Sequence, residues 1–410
     1  MNEQKLNIPM AESSCCGPRA TTENPSCCPS TGQVYEVGTG RPADPKAEVC
    51  CGGPPPPPSD PFERPGYSLS PSVRAFKQTG SDFVPLVKTA LSLGDHWGTL
   101  RVRLGLNREG YRLAPGLYGV GNPDSESPVI VTANYKLTFD AVRKELRDCE
   151  VWLLVLDTCG INVWCAAGKK TFSTREIVNR LRVTGLAEKI SHRRLILPQL
   201  AAAGVSAHEV KRQTGFSVIY GPIRAKDLPR FLQQGNAADE AMRQVSFTLR
   251  ERMVLIPVEL VQFIKKIWWA LPVLMLISGL KPGLFSLSQA VERGGLALAA
   301  FAAGTLAGAV LAPIFLPWLP GRAFALKGSA AGLGMGFLLL LATRGTGSIP
   351  DKICMLVLTI ALGSYLAMNF TGSTPFTSPS GVEREMKWAI PLQAVSLAGA
   401  LAFWIASPFI

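Results

Sequence analysis

Charged side chains are scarce in the last third of this 410-residue chain. Residues 267–410 hold only 8 basic and 4 acidic side chains, whereas residues 61–266 hold 30 basic and 19 acidic ones. A stretch of this length with so few charges is typical of a membrane domain. The composition therefore argues against a wholly soluble enzyme.

Long apolar runs in that last third predict membrane-spanning helices. Four runs reach the roughly 20 residues that a helix needs to cross a bilayer. A fifth run, residues 267–280, is short for a span unless it extends back toward Met253. We expect five spans, with four as the alternative, and ionisable residues are too few within them for a typical transporter. The four longer runs lie near residues 294–319, 323–343, 353–371 and 388–410.

The start of the sequence lacks a secretory signal, because no cationic segment followed by an apolar run occurs there. Lysines and arginines in the short loops slightly favour a cytoplasmic N-terminus. We therefore expect a multi-pass protein of the inner (cytoplasmic) membrane with a cytoplasmic N-terminal domain. The basic excess of residues 61–266 fits a nearby membrane surface, and without a nucleic-acid-binding motif we expect no nucleic-acid partner.

Cys-x-x-Cys spacing, which is typical of iron–sulfur sites, does not occur among the ten cysteines. Six of them form adjacent pairs in residues 1–60, a segment that ends near five consecutive prolines and has few large apolar residues. This composition predicts a disordered tail. Paired thiols suit soft metal ions, although they could also be thiols with no essential role. The paired residues are Cys15, Cys16, Cys27, Cys28, Cys50 and Cys51.

Strand-like and helix-like segments alternate over residues 129–235. This order predicts a parallel sheet with helices on both faces, within a domain of residues 61–255 that precedes the apolar domain of residues 256–410. The predicted strands cover residues 129–133, 151–156, 195–197 and 216–220, and the predicted helices cover residues 138–146, 173–181, 207–213 and 225–233. Before them, the pattern predicts a helix over 84–93, a strand over 99–106 and a loop over 111–121.

A cysteine among small residues follows the predicted strand 151–156. The segment reads Asn162-Val163-Trp164-Cys165-Ala166-Ala167-Gly168-Lys169. Ligands bind beyond the carboxyl ends of parallel strands, so this segment is a candidate site. A helix start and the following lysines would favour a Cys165 thiolate, which can act as a nucleophile or as a soft metal ligand. From the residues alone, an inert buried cysteine is an equal alternative.

These eight residues resemble, without departure, the Asn-(Val/Ile)-Trp-Cys-Ala-(Ala/Gly)-Gly-Lys motif of the mercury-methylating corrinoid proteins. Residues 132–136, 192–199 and 220–224 also resemble that family and the related corrinoid iron–sulfur protein of the acetyl-CoA pathway. The Asp-x-His-x-x-Gly motif of many cobalamin proteins is absent from the sequence. The resemblance implies an α/β Rossmann-like corrinoid-binding domain followed by an all-α transmembrane domain of about five helices.

The resemblance implies a corrinoid-dependent methyltransferase that converts inorganic Hg(II) to methylmercury through methyl-Co(III). Cys165 would be the lower axial ligand of a base-off, cobalamin-type corrinoid, and the cysteine pairs of the tail could capture Hg(II). Thr132 and Asn134 are candidate corrinoid contacts, with strand-end turn chemistry as an equal alternative. The residues implied to surround the corrinoid are Asn162, Val163, Trp164, Ala166, Ala167, Gly168 and Lys169.

The implied partners are a methyl-tetrahydrofolate-dependent methyl donor and a ferredoxin-like protein with [4Fe-4S] clusters. One alternative is a corrinoid methyl-carrier subunit of acetyl-CoA synthesis or decarbonylation. Against this alternative, the chain has no iron–sulfur cluster motif, and its soluble part has no room for a further barrel of about 250 residues. A second alternative is a membrane metal transporter or sensor, which the cysteine pairs would suit.

Overall fold

The computed structural model describes residues 34–36, 67–108, 110–370 and 379–409. Two compact units make up the chain: residues 1–95 with 109–243, and residues 96–108 with 244–410. The six paired cysteines of the predicted tail lie outside the described residues. Within that tail, Val34–Glu36 form a short strand that pairs with Val73–Thr79.

The first unit is a mixed α/β domain built on one eight-stranded sheet, in the order β1-β2-β3-β4-β6-β5-β7-β8. Strands β6, β5, β7 and β8 are parallel, and β4 runs antiparallel to β6. The strands are β1 Val34–Glu36, β2 Val73–Thr79, β3 Asp82–Val87, β4 Gly116–Val120, β5 Val129–Ala133, β6 Val151–Leu156, β7 Arg194–Leu197 and β8 Ser217–Tyr220. The helices are α1 Leu93–Arg103, α2 Lys136–Glu145, α3 Val163–Gly168, α4 Thr174–Thr184, α5 Leu186–Lys189, α6 Ala207–Thr214, α7 Leu228–Gln233 and α8 Glu240–Arg243.

The four predicted strands of residues 129–220 are confirmed, but three predictions before them are wrong. The first four residues of the predicted helix over 84–93 belong to strand β3, and residues 88–92 form neither helix nor strand. Strand β3 forms a hairpin with β2 through a turn at Gly80. The predicted strand over 99–106 falls largely in helix α1. The predicted loop over 111–121 contains β4, because antiparallel pairing with β6 imposes strand structure on a sequence with weak local preference.

Helices cover both faces of the parallel strands, as the alternation predicts. Along β6, alternate side chains enter two different hydrophobic clusters, which explains why the strand is apolar throughout. One cluster includes Trp152 and Leu154 and contains side chains of α3, α4 and α6. The other includes Val151 and Leu153 and contains side chains of α2 and α7.

The second unit consists mainly of apolar helices. Four segments are long and apolar enough to cross a membrane: Leu287–Ile314, Phe324–Ala342, Ile349–Met368 and Gly381–Phe409. Leu249–Ile267 and Ala270–Ser278, which are bent by 58° relative to each other, could together make a fifth. The helices are α9 Leu249–Met253, α10 Ile256–Ile267, α11 Ala270–Ser278, α12 Leu287–Leu306, α13 Ala312–Ile314, α14 Phe324–Ala342, α15 Ile349–Met368 and α16 Pro379–Ala406; a hairpin of β9 Leu280–Lys281 and β10 Leu284–Phe285 follows α11.

Close backbone contact and one buried ion pair hold these helices together. A side chain at Gly328 of α14 would place its Cβ only 2.2 Å from the carbonyl oxygen of Gly363 of α15. Small residues at such contacts are the usual means of close helix packing in membranes. Arg293 of α12 pairs with Asp351 of α15 at 2.9 Å and also donates to the carbonyl oxygen of Trp404 in α16. These contacts tie three of the apolar helices to one another.

Candidate functional site

A cavity of about 410 Å³ opens at the carboxyl ends of the parallel strands. Its volume lies within the range of roughly 300–1,000 Å³ that is usual for small-molecule pockets. Most of the lining is apolar, and it comes from β5, β7, the start of α2 and the start of α3. The lining side chains include Thr132, Tyr135, Asn162, Val163, Trp164, Leu197, Pro198 and Arg224. The cavity is therefore where the strand order predicts a ligand.

The motif segment forms the short helix α3 beside this cavity. The Asn162 side chain caps the helix, because its Oδ1 accepts a hydrogen bond of 2.9 Å from the Cys165 backbone N–H. Val163 points into the core, while Trp164 and Cys165 are exposed. Asn162, Val163 and Trp164 line the cavity. Cys165 thus presents an exposed thiol on the same helical turn as three lining residues.

Ala166 and Ala167 face the protein interior. Both are buried in the cluster that covers one sheet face. Close behind them runs a 3-10 turn, Gln199–Ala203, which ends at Gly204. A Cβ on Gly204 would lie 2.9 Å from the Ala167 Cα atom and 2.3 Å from the carbonyl oxygen of Phe172. The small residues of the motif are therefore explained by packing of α3 against this turn, whereas Gly168 and Lys169 are exposed.

Replacing Gly204 with alanine should destabilise the α/β domain by about 1–3 kcal/mol, because the new Cβ collides with backbone atoms. Thermal unfolding of the detergent-solubilised chain measures this change. Gly168→Ala is the matched control, since nothing lies within 4 Å of a Cβ at Gly168. Equal melting temperatures for the two variants would contradict the packing of α3 described here.

Asn134 fixes the loop between β6 and α3. Its fully buried side chain accepts hydrogen bonds at Oδ1 from the Thr158 backbone N–H (3.1 Å), the Thr158 hydroxyl (2.9 Å) and the Gly160 backbone N–H (3.0 Å). The loop needs this support because Cys159 and Gly160 both have positive φ angles. Asn134 therefore acts on the motif through the loop that carries it.

A carboxylate cluster continues this network on the other side of the loop. Asp157 accepts hydrogen bonds from the Tyr67 hydroxyl at 2.8 and 2.9 Å and from the Asn134 amide at 3.1 Å. The Asp157 backbone N–H donates to Glu176 at 3.0 Å. Burial, together with the hydrogen bond to Asp157 and its charge, raises the pKa of Tyr67 to about 12. Tyr67 therefore stays a hydrogen-bond donor at neutral pH.

Thr132 brings a polar atom to the cavity wall. The residue is 1% exposed, and its hydroxyl oxygen has no hydrogen-bond partner among the described residues. Buried polar atoms are normally paired, so an unpaired hydroxyl at a cavity indicates a ligand contact. The Gln199 Oε1 is also buried and unpaired in the described part of the chain, but Gln199 does not line the cavity. The apolar lining and the Thr132 hydroxyl suit part of a corrinoid, which is a broad ring system bearing amide side chains and is larger than this cavity.

Metal ligands do not cluster in the described ranges. No group of three or more His, Cys, Asp or Glu side chains there could hold a metal ion. Four free cysteines are described, namely Cys149, Cys159, Cys165 and Cys354. The Hg(II) capture proposed for the paired cysteines concerns residues outside these ranges and stays a prediction.

Sequence comparisons match the α/β domain that contains the cavity. Residues 107–232 match the family model of the CO dehydrogenase/acetyl-CoA synthase delta subunit. The chain is 36% identical over 129 residues to the acetyl-CoA decarbonylase/synthase complex subunit gamma of Methanopyrus kandleri, covering 31% of this chain and 28% of that one. It is 30% identical over 129 residues to the corrinoid/iron-sulfur protein large subunit of Moorella thermoacetica, with the same shares.

The same-named gamma subunit of Methanocaldococcus jannaschii is 36% identical over 128 residues, which cover 31% of this chain and 26% of that protein. The chain thus matches little more than a quarter of the length of these relatives. The apolar helices of the second unit lie beyond the residues that the family model matches. The α/β domain of this chain is therefore a relative of acetyl-CoA pathway proteins, among them a corrinoid/iron-sulfur protein.

Proposed function

We propose that the α/β domain binds a corrinoid at the cavity and that the chain is a corrinoid-dependent methyl-transfer protein. One observation carries this proposal: the exposed thiol of Cys165 lies on the turn whose preceding residues line the cavity. The similarity to a corrinoid/iron-sulfur protein large subunit over this domain supports it. A Rossmann-like arrangement, with the ligand beyond the carboxyl ends of the strands, is part of the same proposal.

In this proposal each site residue has a distinct task. Cys165 would hold the cobalt of a base-off corrinoid through its thiolate, Val163 and Trp164 would form the wall beside it, and Asn162 fixes the turn. Thr132 would form a hydrogen bond with an amide side chain of the corrin ring, and Asn134 holds the loop before the turn. When bound, the corrinoid would supply methyl-transfer chemistry, and a thiolate held against its metal would favour transfer of the methyl group to an electrophilic acceptor.

Replacing Thr132 should affect protein stability and cobalamin affinity differently, which tests its proposed contact with the cofactor. Thr132→Val removes an unpaired buried hydroxyl, so the free energy of unfolding should stay the same within about 1 kcal/mol or rise. Affinity for cobalamin should fall roughly fivefold, because a hydrogen bond worth about 1 kcal/mol is lost. Thermal unfolding and cobalamin titration measure the two quantities. Lower stability with unchanged affinity would assign Thr132 a structural role only.

We consider two candidate methyl acceptors. The relatives are named as subunits of the acetyl-CoA decarbonylase/synthase complex, which favours a methyl carrier in acetyl-CoA synthesis or decarbonylation. Hg(II) as acceptor, with methylmercury as product, is the second candidate, and it rests on the resemblance of the Asn162–Lys169 motif to the mercury-methylating corrinoid proteins. In either case we propose a methyl-tetrahydrofolate-dependent donor and a ferredoxin-like [4Fe-4S] partner that restores the reduced cofactor.

We also propose that the chain is anchored in the cytoplasmic membrane by the second unit. Four helices are long and apolar enough to cross a bilayer, and a bent pair could provide a fifth. The buried Arg293–Asp351 pair is satisfied by neighbouring groups, so it fits a packing contact better than an ion pathway.

To test the methyl acceptor, inorganic Hg(II) is given to cells that express the chain together with a ferredoxin-like partner. Formation of methylmercury that disappears in Cys165→Ala but persists in Cys159→Ala would support Hg(II). Cys159 is a matched control, because it is another exposed cysteine of the same region. No methylmercury, together with methyl exchange into acetyl-CoA in extracts, would favour the carrier of the acetyl-CoA pathway.

A further inference from the structure

Helix α1 carries an exposed apolar stripe. Leu93, Trp97 and Leu100 are 88%, 61% and 46% exposed. At about 100° per residue, these positions and Leu104 fall within a narrow sector of the helix surface. Large apolar side chains grouped in this way on an exposed surface mark an interaction site. We therefore expect another molecule or a membrane to cover the stripe.

The opposite side of α1 is already packed. Val102 is only 2% exposed, and Asp95 is buried as well. Both project roughly opposite to the stripe around the helix axis. Arg101 and Arg103 lie in the last turn, about 80° to either side of the stripe. An apolar stripe with basic flanks is the pattern of a helix that lies in a membrane interface.

The end of α1 is attached to the apolar helices. Residues 96–108 belong to the same unit as residues 244–410. Lys265 of α10 donates a hydrogen bond of 3.2 Å from Nζ to the carbonyl oxygen of Gly105, and a Cβ on Gly105 would lie 3.5 Å from Val261 of α10. Exposed Trp268 and Trp269 follow α10. Basic and tryptophan side chains together are typical of a membrane–water boundary.

We infer that α1 lies in the cytoplasmic-leaflet interface, with Leu93, Trp97 and Leu100 among the acyl chains and with Arg101 and Arg103 bound to anionic lipid headgroups. This inference rests on the membrane anchoring proposed above. A lipid surface explains three features together: the narrow stripe, its basic flanks, and its attachment beside the tryptophans that follow α10. The leaflet is the occupant that matches all of them.

The test places the full chain in nanodiscs of phosphatidylcholine and phosphatidylglycerol, with or without brominated acyl chains. The emission of Trp97 is obtained by subtracting the spectrum of Trp97→Phe from that of the unchanged chain. Brominated lipid should remove most of this difference emission, while aqueous iodide should leave it largely unchanged. Arg101→Gln with Arg103→Gln should weaken the bromine quenching, because each arginine near an anionic surface shifts the equilibrium roughly fivefold.

Two outcomes would overturn the inference. Quenching of Trp97 by iodide and not by brominated lipid would place the stripe in water. Protection from both quenchers, appearing when a ferredoxin-like protein is added, would assign the stripe to a protein partner. Failure of the anchoring itself is distinguished by alkaline extraction of native membranes, which would then release the chain. A chain that resists extraction but has an iodide-quenched Trp97 contradicts only the role of α1.

Discussion

Replacing Cys165 with alanine is expected to abolish methyl transfer while leaving the fold intact. The side chain is exposed, so its removal should change the free energy of unfolding by no more than about 0.5 kcal/mol. Its loss removes the one thiol on the turn beside the cavity. Groups that merely orient metal ligands are worth about 10–100-fold in activity, so loss of the ligand itself should cost at least about a hundredfold.

The measurement is single-turnover methyl transfer from the corrinoid-loaded chain, with melting temperature recorded in parallel. Cys159→Ala is the control, because Cys159 is equally exposed and its thiol is given no role. Cys165→Ser and Cys165→His extend the series, since a hydroxyl and an imidazole donate less electron density than a thiolate. Activity of Cys165→Ala within about tenfold of the unchanged chain would contradict a ligand role.

Replacing Asn134 with alanine is expected to destabilise the α/β domain and to weaken corrinoid binding. The change removes the acceptor shared by the Thr158 N–H, the Thr158 hydroxyl and the Gly160 N–H. The Thr158 hydroxyl keeps its 2.7 Å hydrogen bond to the Ile161 carbonyl oxygen, so only the two backbone N–H groups lose their partner. An unpaired buried donor costs about 1–3 kcal/mol and the Gly160 N–H is only partly buried, so a loss of about 2 kcal/mol or more is expected. The loop that leads to the motif would also lose its support.

Thermal or urea unfolding and cobalamin titration measure the two effects. Asn134→Asp is the informative companion, because it keeps the acceptor oxygen but replaces the amide that donates to Asp157 with a second carboxylate. This variant should also be destabilised at neutral pH by repulsion between the two carboxylates, and should recover as the pH falls and one of them is protonated. A stable Asn134→Ala protein with full affinity would show that the loop does not need this side chain.

The strands and helices of the α/β domain after residue 129 could be predicted from local sequence patterns. The continuous apolar run of β6 indicated a strand buried on both faces, and Ser173 with Glu176 marked the start of α4, where the Ser173 side chain accepts from the Glu176 N–H. The secondary structure before residue 129 could not be predicted in this way. There, strand β4 depends on pairing with β6, whose residues lie outside any local window. Strand β3 pairs with its neighbour β2 in a hairpin that the local pattern did not reveal.

The candidate site was predicted in part. The motif and its place after a buried strand pointed to the carboxyl edge of the sheet, where the cavity lies. The inward packing of Ala166 and Ala167 against the turn before Gly204 could not be foreseen, because it joins segments about 40 residues apart. Tyr67 carried no sequence signal, since its contacts are with distant residues: it donates a hydrogen bond to Asp157, 90 residues away, and the Arg112 guanidinium lies 4.5 Å from its ring centroid.

The most direct test of the proposed axial ligand is the ultraviolet–visible spectrum of the chain reconstituted with cobalamin, compared with Cys165→Ala and Cys159→Ala. We predict a base-off spectrum with a thiolate–cobalt signature for the unchanged chain and for Cys159→Ala. Cys165→Ala should bind cobalamin without that signature. Identical spectra for all three proteins would show that Cys165 is not the ligand, and absence of binding by all three would contradict the corrinoid site itself.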